Sequence, residues 1–110
     1  MSVEAEYKLE MRADGATLSG VMRLVSPAAY RGALAAVHDQ IDAATGPLEL
    51  DLAELQFLNS SGITALSRLV MQARERSVTM TVIIDEQVSW QKKTLPSLAR
   101  LYPKLTLKGR

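Results

Sequence analysis

The spacing of apolar residues along this chain alternates between the period of a β-strand and the period of an α-helix. From Tyr7 to Leu24, apolar and polar residues alternate on both sides of Asp14-Gly15, which predicts a β-hairpin. Ser26-Pro27 is a helix-start signal, because serine caps helices well and proline is tolerated at the first helical position. Apolar residues at helical spacing follow, so we predict a first helix from Pro27 to Ala44.

The middle of the chain repeats this change of period. Leu48 to Leu52 alternates as a strand and precedes the short apolar pair Phe57-Leu58. Small polar residues and then apolar residues at helical spacing predict a second helix from Ser61 to Arg76. The next segment, Val78 to Ile84, is β-branched almost throughout, which is typical of a strand covered on both faces.

The C-terminal part of the chain completes an alternating pattern. Trp90 to Leu101 allows a helix that Pro96 must kink or restart, because proline removes a donor and disfavours helix at the preceding residue. Leu105 to Leu107 fits a final short strand. The predicted order β-β-α-β-α-β-α-β is typical of an α/β fold, with helices packed on a mixed β-sheet. Since 110 residues suffice for one hydrophobic core, we expect a single domain over residues 1–110.

The amino-acid composition excludes several kinds of site. The sequence has no cysteine, which excludes disulfides, thiolate metal sites and cysteine nucleophiles. Its one histidine, His38, excludes metal sites built on paired histidines. The formal net charge is +1 and no basic run is present, so nucleic-acid binding is not expected. Because no signal-like N-terminus or long apolar span is present, we expect a cytoplasmic protein without direct membrane insertion.

The candidate functional site is the stretch Phe57 to Ile63, which reads Phe-Leu-Asn-Ser-Ser-Gly-Ile. In one interpretation, Asn59 and a serine only cap the second helix, and Gly62 only allows close packing. In the other, a serine hydroxyl at the exposed N-terminus of a helix is a phosphorylation site. The helix dipole and the free N–H groups there tolerate a phosphate.

The run from Leu50 to Leu66 resembles the signature of STAS domains, the anti-sigma factor antagonist family. That signature is a strand ending in an aspartate, a short connector, Asp-Ser-Ser-Gly and an apolar helix; here Asn59 stands where the family has its aspartate. The element order from about Tyr7 to Leu107 is also similar to that of the family. The resemblance implies a single STAS-like domain that is a small, free-standing bacterial regulator, is not an enzyme and needs no cofactor or metal.

The resemblance also implies which residues act. Ser60 corresponds to the serine that is phosphorylated by a serine kinase acting as an anti-sigma factor, and a phosphatase of the PP2C type reverses this; Ser61 is the second choice. The expected partner-binding residues are Asn59, Ser60, Ser61, Gly62 and Thr64. The implied function is that of a cytoplasmic phosphoprotein in signal transduction and transcription regulation, which binds its partner until Ser60 is phosphorylated.

Two other functions compete with this switch. The first is a constitutive STAS-like accessory subunit of an ATPase or membrane transporter complex, which uses the same surface without phosphorylation. The second is a small hydrolase that uses Ser60 or Ser61. It is the weaker hypothesis, because the sequence has no G-x-S-x-G elbow and His38 is remote from the serines along the chain.

Three residues outside this stretch also carry expectations. His38 lies off the apolar stripe of the first helix and is predicted to be a solvated surface residue, with a pH-sensitive contact as the alternative. Trp90 is either a partly buried core residue or an exposed interface anchor. Met71 is either an adaptable partner contact or an incidental exposed apolar residue.

Overall fold

The computed structural model describes residues 6–110, which form one sheet and the helices that pack on it. The strands are β1 (Tyr7–Arg12), β2 (Gly15–Met22), β3 (Leu48–Asp51), β4 (Leu55–Leu58), β5 (Met80–Ile84) and β6 (Leu105–Gly109). The helices are α1 (Pro27–Ala33), α2 (Ala35–Ala43), α3 (Ser60–Glu75), α4 (Ser89–Thr94) and α5 (Pro96–Ala99). The expectation about a signal-like N-terminus falls partly on residues 1–5, outside the described residues.

The sheet is mixed, as the sequence predicted. Its strands lie in the order β1-β2-β3-β5-β6, and β4 pairs with β2 outside this path. The hairpin strands β1 and β2 are antiparallel, whereas every other pairing is parallel. The sequence prediction missed β4. This strand has only four residues, Leu-Gln-Phe-Leu, and its last two are both apolar, so apolar and polar residues do not alternate clearly.

Strands β3 and β4 both pair with β2, one after the other along its length. Residues 15–17 of β2 pair with β3, residues 20–22 pair with β4, and the register shifts between Gly20 and Val21. Gly20 has φ 91°, and a Cβ there would lie 2.3 Å from the Glu6 carbonyl oxygen. Only glycine fits this irregularity. Because of this irregularity in β2, β3 and then β4 pair with successive parts of the same strand. The end of β4 lies two residues before the start of α3.

The helices cover one face of the sheet. In β5, Met80, Val82 and Ile84 are buried, whereas Thr81 and Ile83 are only half-buried. The prediction that this strand is covered on both faces is therefore wrong. β-Branched residues suit a half-buried pleated surface as well as a buried one, so their run does not distinguish the two cases. The expected burial of Leu50, Val82 and Ile84 is confirmed, with exposed fractions of 5%, 0% and 4%.

The first predicted helix is interrupted in its middle. Leu34 has φ −102° and ψ 13°, outside helical geometry, so α1 ends at Ala33 and α2 begins at Ala35. Gly32 lowers helix propensity just before this break. The predicted restart at Pro96 is confirmed, because α5 begins at this residue.

Helix α3 is central to the helical layer. Its buried face consists of Gly62, Ala65, Leu66, Leu69, Val70 and Ala73. It contacts α1, α2, α5 and β4, and the buried residues of sheet and helices form one hydrophobic cluster. The N-terminus of α3 is therefore held on a packed core. Over residues 6–110, no helix has both the length and the apolar character that a membrane span requires.

Candidate functional site

The N-terminus of α3 is capped by Asn59, whose amide oxygen and amide nitrogen both form hydrogen bonds inside the molecule. Its Oδ1 atom accepts hydrogen bonds from the Gly62 N–H at 3.0 Å and from the Tyr30 hydroxyl at 2.6 Å. Its Nδ2 atom donates to the Leu24 carbonyl oxygen at 2.9 Å. Asn59 thus joins α3, α1 and the segment that leads into α1. The capping role expected from the sequence is confirmed, and the donor role was not anticipated.

The hydroxyl of Tyr30 is a donor because it stays protonated. Its side chain is fully buried, and burial raises the pKa of Tyr30 above its usual value. The protonated hydroxyl therefore meets Oδ1 of Asn59, which is the acceptor end of the amide. This bond fixes the orientation of the amide and directs Nδ2 towards Leu24.

Gly62 is buried beneath the cap. A Cβ at this position would lie 2.2 Å from Cδ1 of Leu58 and 2.8 Å from the Tyr30 hydroxyl. A larger residue would displace both side chains, and Tyr30 is the one that bonds to Asn59. The glycine of the motif therefore permits close packing between the end of β4, α1 and α3.

The remaining predicted site residues face outward to different extents. Ser60 is the first residue of α3 and is exposed, Ser61 is half-buried, and Thr64 is exposed. Among residues 6–110, neither serine hydroxyl has a hydrogen-bond partner within 3.5 Å. The structure thus brings the five predicted residues together around the first turn of α3. Asn59 and Gly62 hold the turn, and Ser60 and Thr64 are presented to solvent.

Apolar residues near this turn are exposed; the sequence analysis placed Phe57 at the start of the candidate stretch but did not single out Val25. Phe57, two residues before the cap, is 44% exposed, and the guanidinium carbon of Arg23 lies 5.8 Å from the centre of its ring. Val25 is 93% exposed and follows Leu24, the residue bonded to Asn59. The sequence signal for this exposed apolar surface was Phe57, an aromatic residue in a segment where apolar and polar residues do not alternate regularly.

A buried amide holds the connector between β3 and β4. Gln91 is 0% exposed, and its Nε2 atom donates to the carbonyl oxygens of Leu52 at 2.8 Å and Leu55 at 2.9 Å. Its Oε1 atom accepts from the Asp85 N–H at 2.8 Å. Trp90 is half-buried and donates from Nε1 to Leu55 at 3.1 Å, which supports its core interpretation. Helix α4 thereby positions the strand that leads to Ser60, a role of Gln91 that no local pattern revealed.

His38 is not the solvated residue that the sequence predicted. It is half-buried, and its Nδ1 atom is paired with Oε1 of Gln72 on α3. Gln72 also donates from Nε2 to the His38 carbonyl at 2.9 Å and to Asp42 at 2.8 Å. The prediction considered only the stripe of the first helix, whereas the polar contact comes from α3. The imidazole is thus engaged with Gln72 and not with a serine.

The described residues offer no metal centre. Within residues 6–110, no three His, Asp or Glu side chains lie close enough together to hold a metal ion.

Met71 on α3 is 36% exposed, so its side chain is available at the surface. Both interpretations of this residue, a partner contact and an incidental exposed apolar residue, require this.

Comparison with known proteins agrees with this fold. No family model matches the sequence, and no curated protein matches it. The crystal structure of the diguanylate cyclase SiaD in complex with its activator SiaC, from Pseudomonas aeruginosa, contains a chain similar to this one. The TM-score is 0.70 and the identity 15%, over 97% of this chain and 96% of that chain.

A crystal structure of an anti-sigma factor antagonist from Mycobacterium paratuberculosis is similar as well. The TM-score is 0.58 and the identity 19%, over 91% of this chain and 83% of that chain. The sequence resemblance had led to the same expectation from a short motif. The chain therefore has the STAS fold of an anti-sigma factor antagonist.

Proposed function

We propose that this chain is a non-catalytic regulatory module that binds a protein partner around the N-terminus of α3 and releases it when Ser60 is phosphorylated. The observation that carries the proposal is the position of Ser60. Its hydroxyl is exposed on the first residue of a helix whose cap is rigidly held, and Phe57 and Thr64 are exposed nearby. The proposed partner is a serine kinase of the anti-sigma type, and a PP2C-type phosphatase restores binding.

The chemistry of the switch requires little of this chain. A kinase transfers the γ-phosphoryl group of ATP to Oγ of Ser60, the hydroxyl proton leaves, and ADP is the leaving group. The phosphate adds about −1.5 to −2 charges on a surface that the partner must cover. An unmatched charge at an interface costs several kcal/mol, so the complex dissociates. The fold is unaffected, because Asn59 caps the helix from the inward side and the helix dipole favours an anion at this end.

The similar structures support a regulatory role. One is described as an anti-sigma factor antagonist, and SiaC is described as the activator of the enzyme with which it was crystallised. Both are proteins that act on another protein. Control of transcription as the output of this chain is part of the proposal.

The test is a comparison of two substitutions at Ser60 in the full chain. The wild-type chain is purified from its native host, the phosphorylated residue is mapped by mass spectrometry, and the partner that co-purifies is titrated against variants by calorimetry. Ser60→Ala should bind as the wild type does and carry no phosphate. Ser60→Asp should bind at least about tenfold more weakly, because a charge enters the interface.

Ser89 provides a matched control, since it is exposed and is also the first residue of a helix, α4. Ser89→Asp should leave the affinity unchanged. Equal affinities for Ser60→Ala and Ser60→Asp, with no phosphate on the native protein, would contradict the switch. That result would favour the constitutive subunit of an ATPase or transporter complex.

A further inference from the structure

Strand β1 is an outer strand of the sheet with one edge free. It pairs only with β2, and no other strand lies beside it in residues 6–110. Within the same residues, β2 is also the only element in extensive contact with β1. The backbone N–H and C=O groups along such an edge have no partners in the sheet, so the edge can accept a further strand.

The alternation of backbone hydrogen bonds shows which residues present these free groups. The N–H of Val21 on β2 donates to the carbonyl oxygen of Glu6 at 2.9 Å, so Glu6 directs its backbone groups towards β2. In an antiparallel pair, the direction of these groups alternates from one residue to the next. The residues of β1 whose backbone groups point away from β2 are therefore Tyr7, Leu9 and Met11.

The side chains of this segment form two rows, because successive residues of a strand point to opposite faces of the sheet. The row on the helix side is apolar and consists of Tyr7, Leu9 and Met11. The row on the other side is charged and consists of Glu6, Lys8, Glu10 and Arg12. Met11 is 41% exposed, so the apolar row remains partly uncovered at the free edge.

The order of these seven residues is complementary to itself. A second copy of β1 can lie antiparallel beside the first, with Leu9 opposite Leu9. The residues with outward backbone groups then face one another and exchange two hydrogen bonds per pair. The opposing residues are Glu6 with Arg12, Tyr7 with Met11, Lys8 with Glu10, and Leu9 with Leu9. Every charge therefore faces an opposite charge, and every apolar side chain faces another apolar side chain.

The charges also favour this register over its neighbours. Outward backbone groups still meet when one copy slides by two residues, because they occur on every second residue. In one direction, this shift places Lys8 opposite Lys8 of the other copy, and in the other direction it places Glu10 opposite Glu10. Like charges directly opposite each other are destabilising, so the register centred on Leu9 is favoured over both shifted registers.

Within one chain, these charges form ion pairs at the surface. Lys8 and Glu10 are 2.7 Å apart, and Glu6 lies 3.8 Å from Arg23, with all four side chains exposed. Exposed pairs of this kind contribute little to stability. A second copy can therefore add cross-strand partners to the charged row without the loss of a buried contact.

We infer that β1 is a homodimer interface, at which two copies of this chain join their sheets through antiparallel β1 strands on a twofold axis at Leu9. The backbone hydrogen bonds of the outward residues hold the two strands together, and the charged row sets their register. Because a single strand of each copy is buried, the dimer is weak and forms only with rising concentration. The inference does not depend on Ser60, which lies on α3.

Charge substitutions in the full chain test this interface by sedimentation equilibrium. The wild type should shift from monomer to dimer as its concentration rises from micromolar to millimolar. Lys8→Glu and Glu10→Lys each place like charges opposite each other on both sides of the axis, so each variant alone should dimerise at least about tenfold more weakly. An equimolar mixture of the two variants should recover the wild-type affinity, since each of these charges then faces an opposite charge.

Lys108→Glu is the matched control, because Lys108 is exposed on β6, the other outer strand. It should leave dimerisation unchanged. Amide hydrogen exchange followed by NMR provides a measurement that needs no substitution. The N–H groups of Leu9 and Met11 should exchange more slowly in concentrated than in dilute wild-type protein.

A chain that stays monomeric at millimolar concentration would overturn the inference and leave this edge to a strand of another protein. A dimer that neither single substitution weakens would place the interface elsewhere, and so would fast exchange of both amides in the dimer. A mixture that associates no better than the separate variants would contradict the pairing of Lys8 with Glu10. Partner binding by the Ser60 variants is measured separately, so the failure of one test leaves the other proposal standing.

Discussion

Replacing Asn59 by aspartate restores the residue of the STAS signature and tests whether the cap acts only as a hydrogen-bond acceptor. From the sequence alone, the substitution should change the unfolding free energy by only a few tenths of a kcal/mol, since asparagine and aspartate cap helices comparably. The structure predicts a larger loss. Nδ2 of Asn59 donates to the Leu24 carbonyl at 2.9 Å, and a carboxylate would place an acceptor against that acceptor.

The magnitude follows from the bonds that are lost and strengthened. Leaving the Leu24 carbonyl without a donor costs about 1–3 kcal/mol, and repulsion from the carboxylate adds to this cost. The helix dipole returns about 0.3–1 kcal/mol, and the bond from the Tyr30 hydroxyl strengthens because its acceptor becomes charged. We therefore expect Asn59→Asp to lower the unfolding free energy by about 1–2 kcal/mol, a fall in Tm of roughly 4–8 °C.

Urea denaturation of wild type, Asn59→Asp and Asn59→Ser provides the measurement. Serine keeps a capping acceptor but lacks the amide donor, so it separates loss of the donor from charge repulsion. Tyr30→Phe should also be more destabilising in the Asn59→Asp chain than in the wild type, because it then removes a charge-assisted bond. An Asn59→Asp chain as stable as wild type would show that the bond to Leu24 contributes nothing, and would refute this reasoning.

Four further predictions can be checked by denaturation. Gly62→Ala should lower the unfolding free energy by about 1–3 kcal/mol, because its Cβ would lie 2.2 Å from Leu58. Ser77→Gly should raise it by about 1 kcal/mol, since Ser77 has φ 57°. Gln91→Glu should lower it by about 3 kcal/mol or more at neutral pH, with Gln91→Met less harmful, because a buried carboxylate would face carbonyl oxygens. Burial raises the pKa of Tyr30 in the folded chain, so above about pH 10 the unfolded chain loses the phenolic proton first. The unfolding free energy should then fall by up to about 1.4 kcal/mol per pH unit, and the Tyr30→Phe variant should show a shallower fall in the same pH series.

Local signals in the sequence accounted for most of the secondary structure. Period-two alternation around Asp14-Gly15 predicted the hairpin, and the restart at Pro96 followed from the missing N–H of proline. Asn59 was identified as a cap because capping involves residues only three apart. These features depend on neighbours along the chain, so the amino-acid order alone reveals them.

The features that position the site come from contacts between distant segments. Asn59 bonds to Tyr30 across 29 residues and to Leu24 across 35, and Gln91 reaches Leu52 across 39. No local period encodes such pairs. The pairing of β4 with β2 and the half-buried second face of β5 are likewise set by what the folded chain brings alongside each strand.

The sequence by itself therefore determined the α/β class, the capped turn and the serine pair, because periodicity and capping are short-range effects. The tertiary structure decided which members of the motif are structural and which are presented to solvent. Tyr30 and Leu24 bind both ends of the Asn59 amide, and this leaves Ser60 exposed on the helix. Only the packing of α1 against α3 brings Arg31 and Arg68, which are 37 positions apart in the sequence, to one surface indentation.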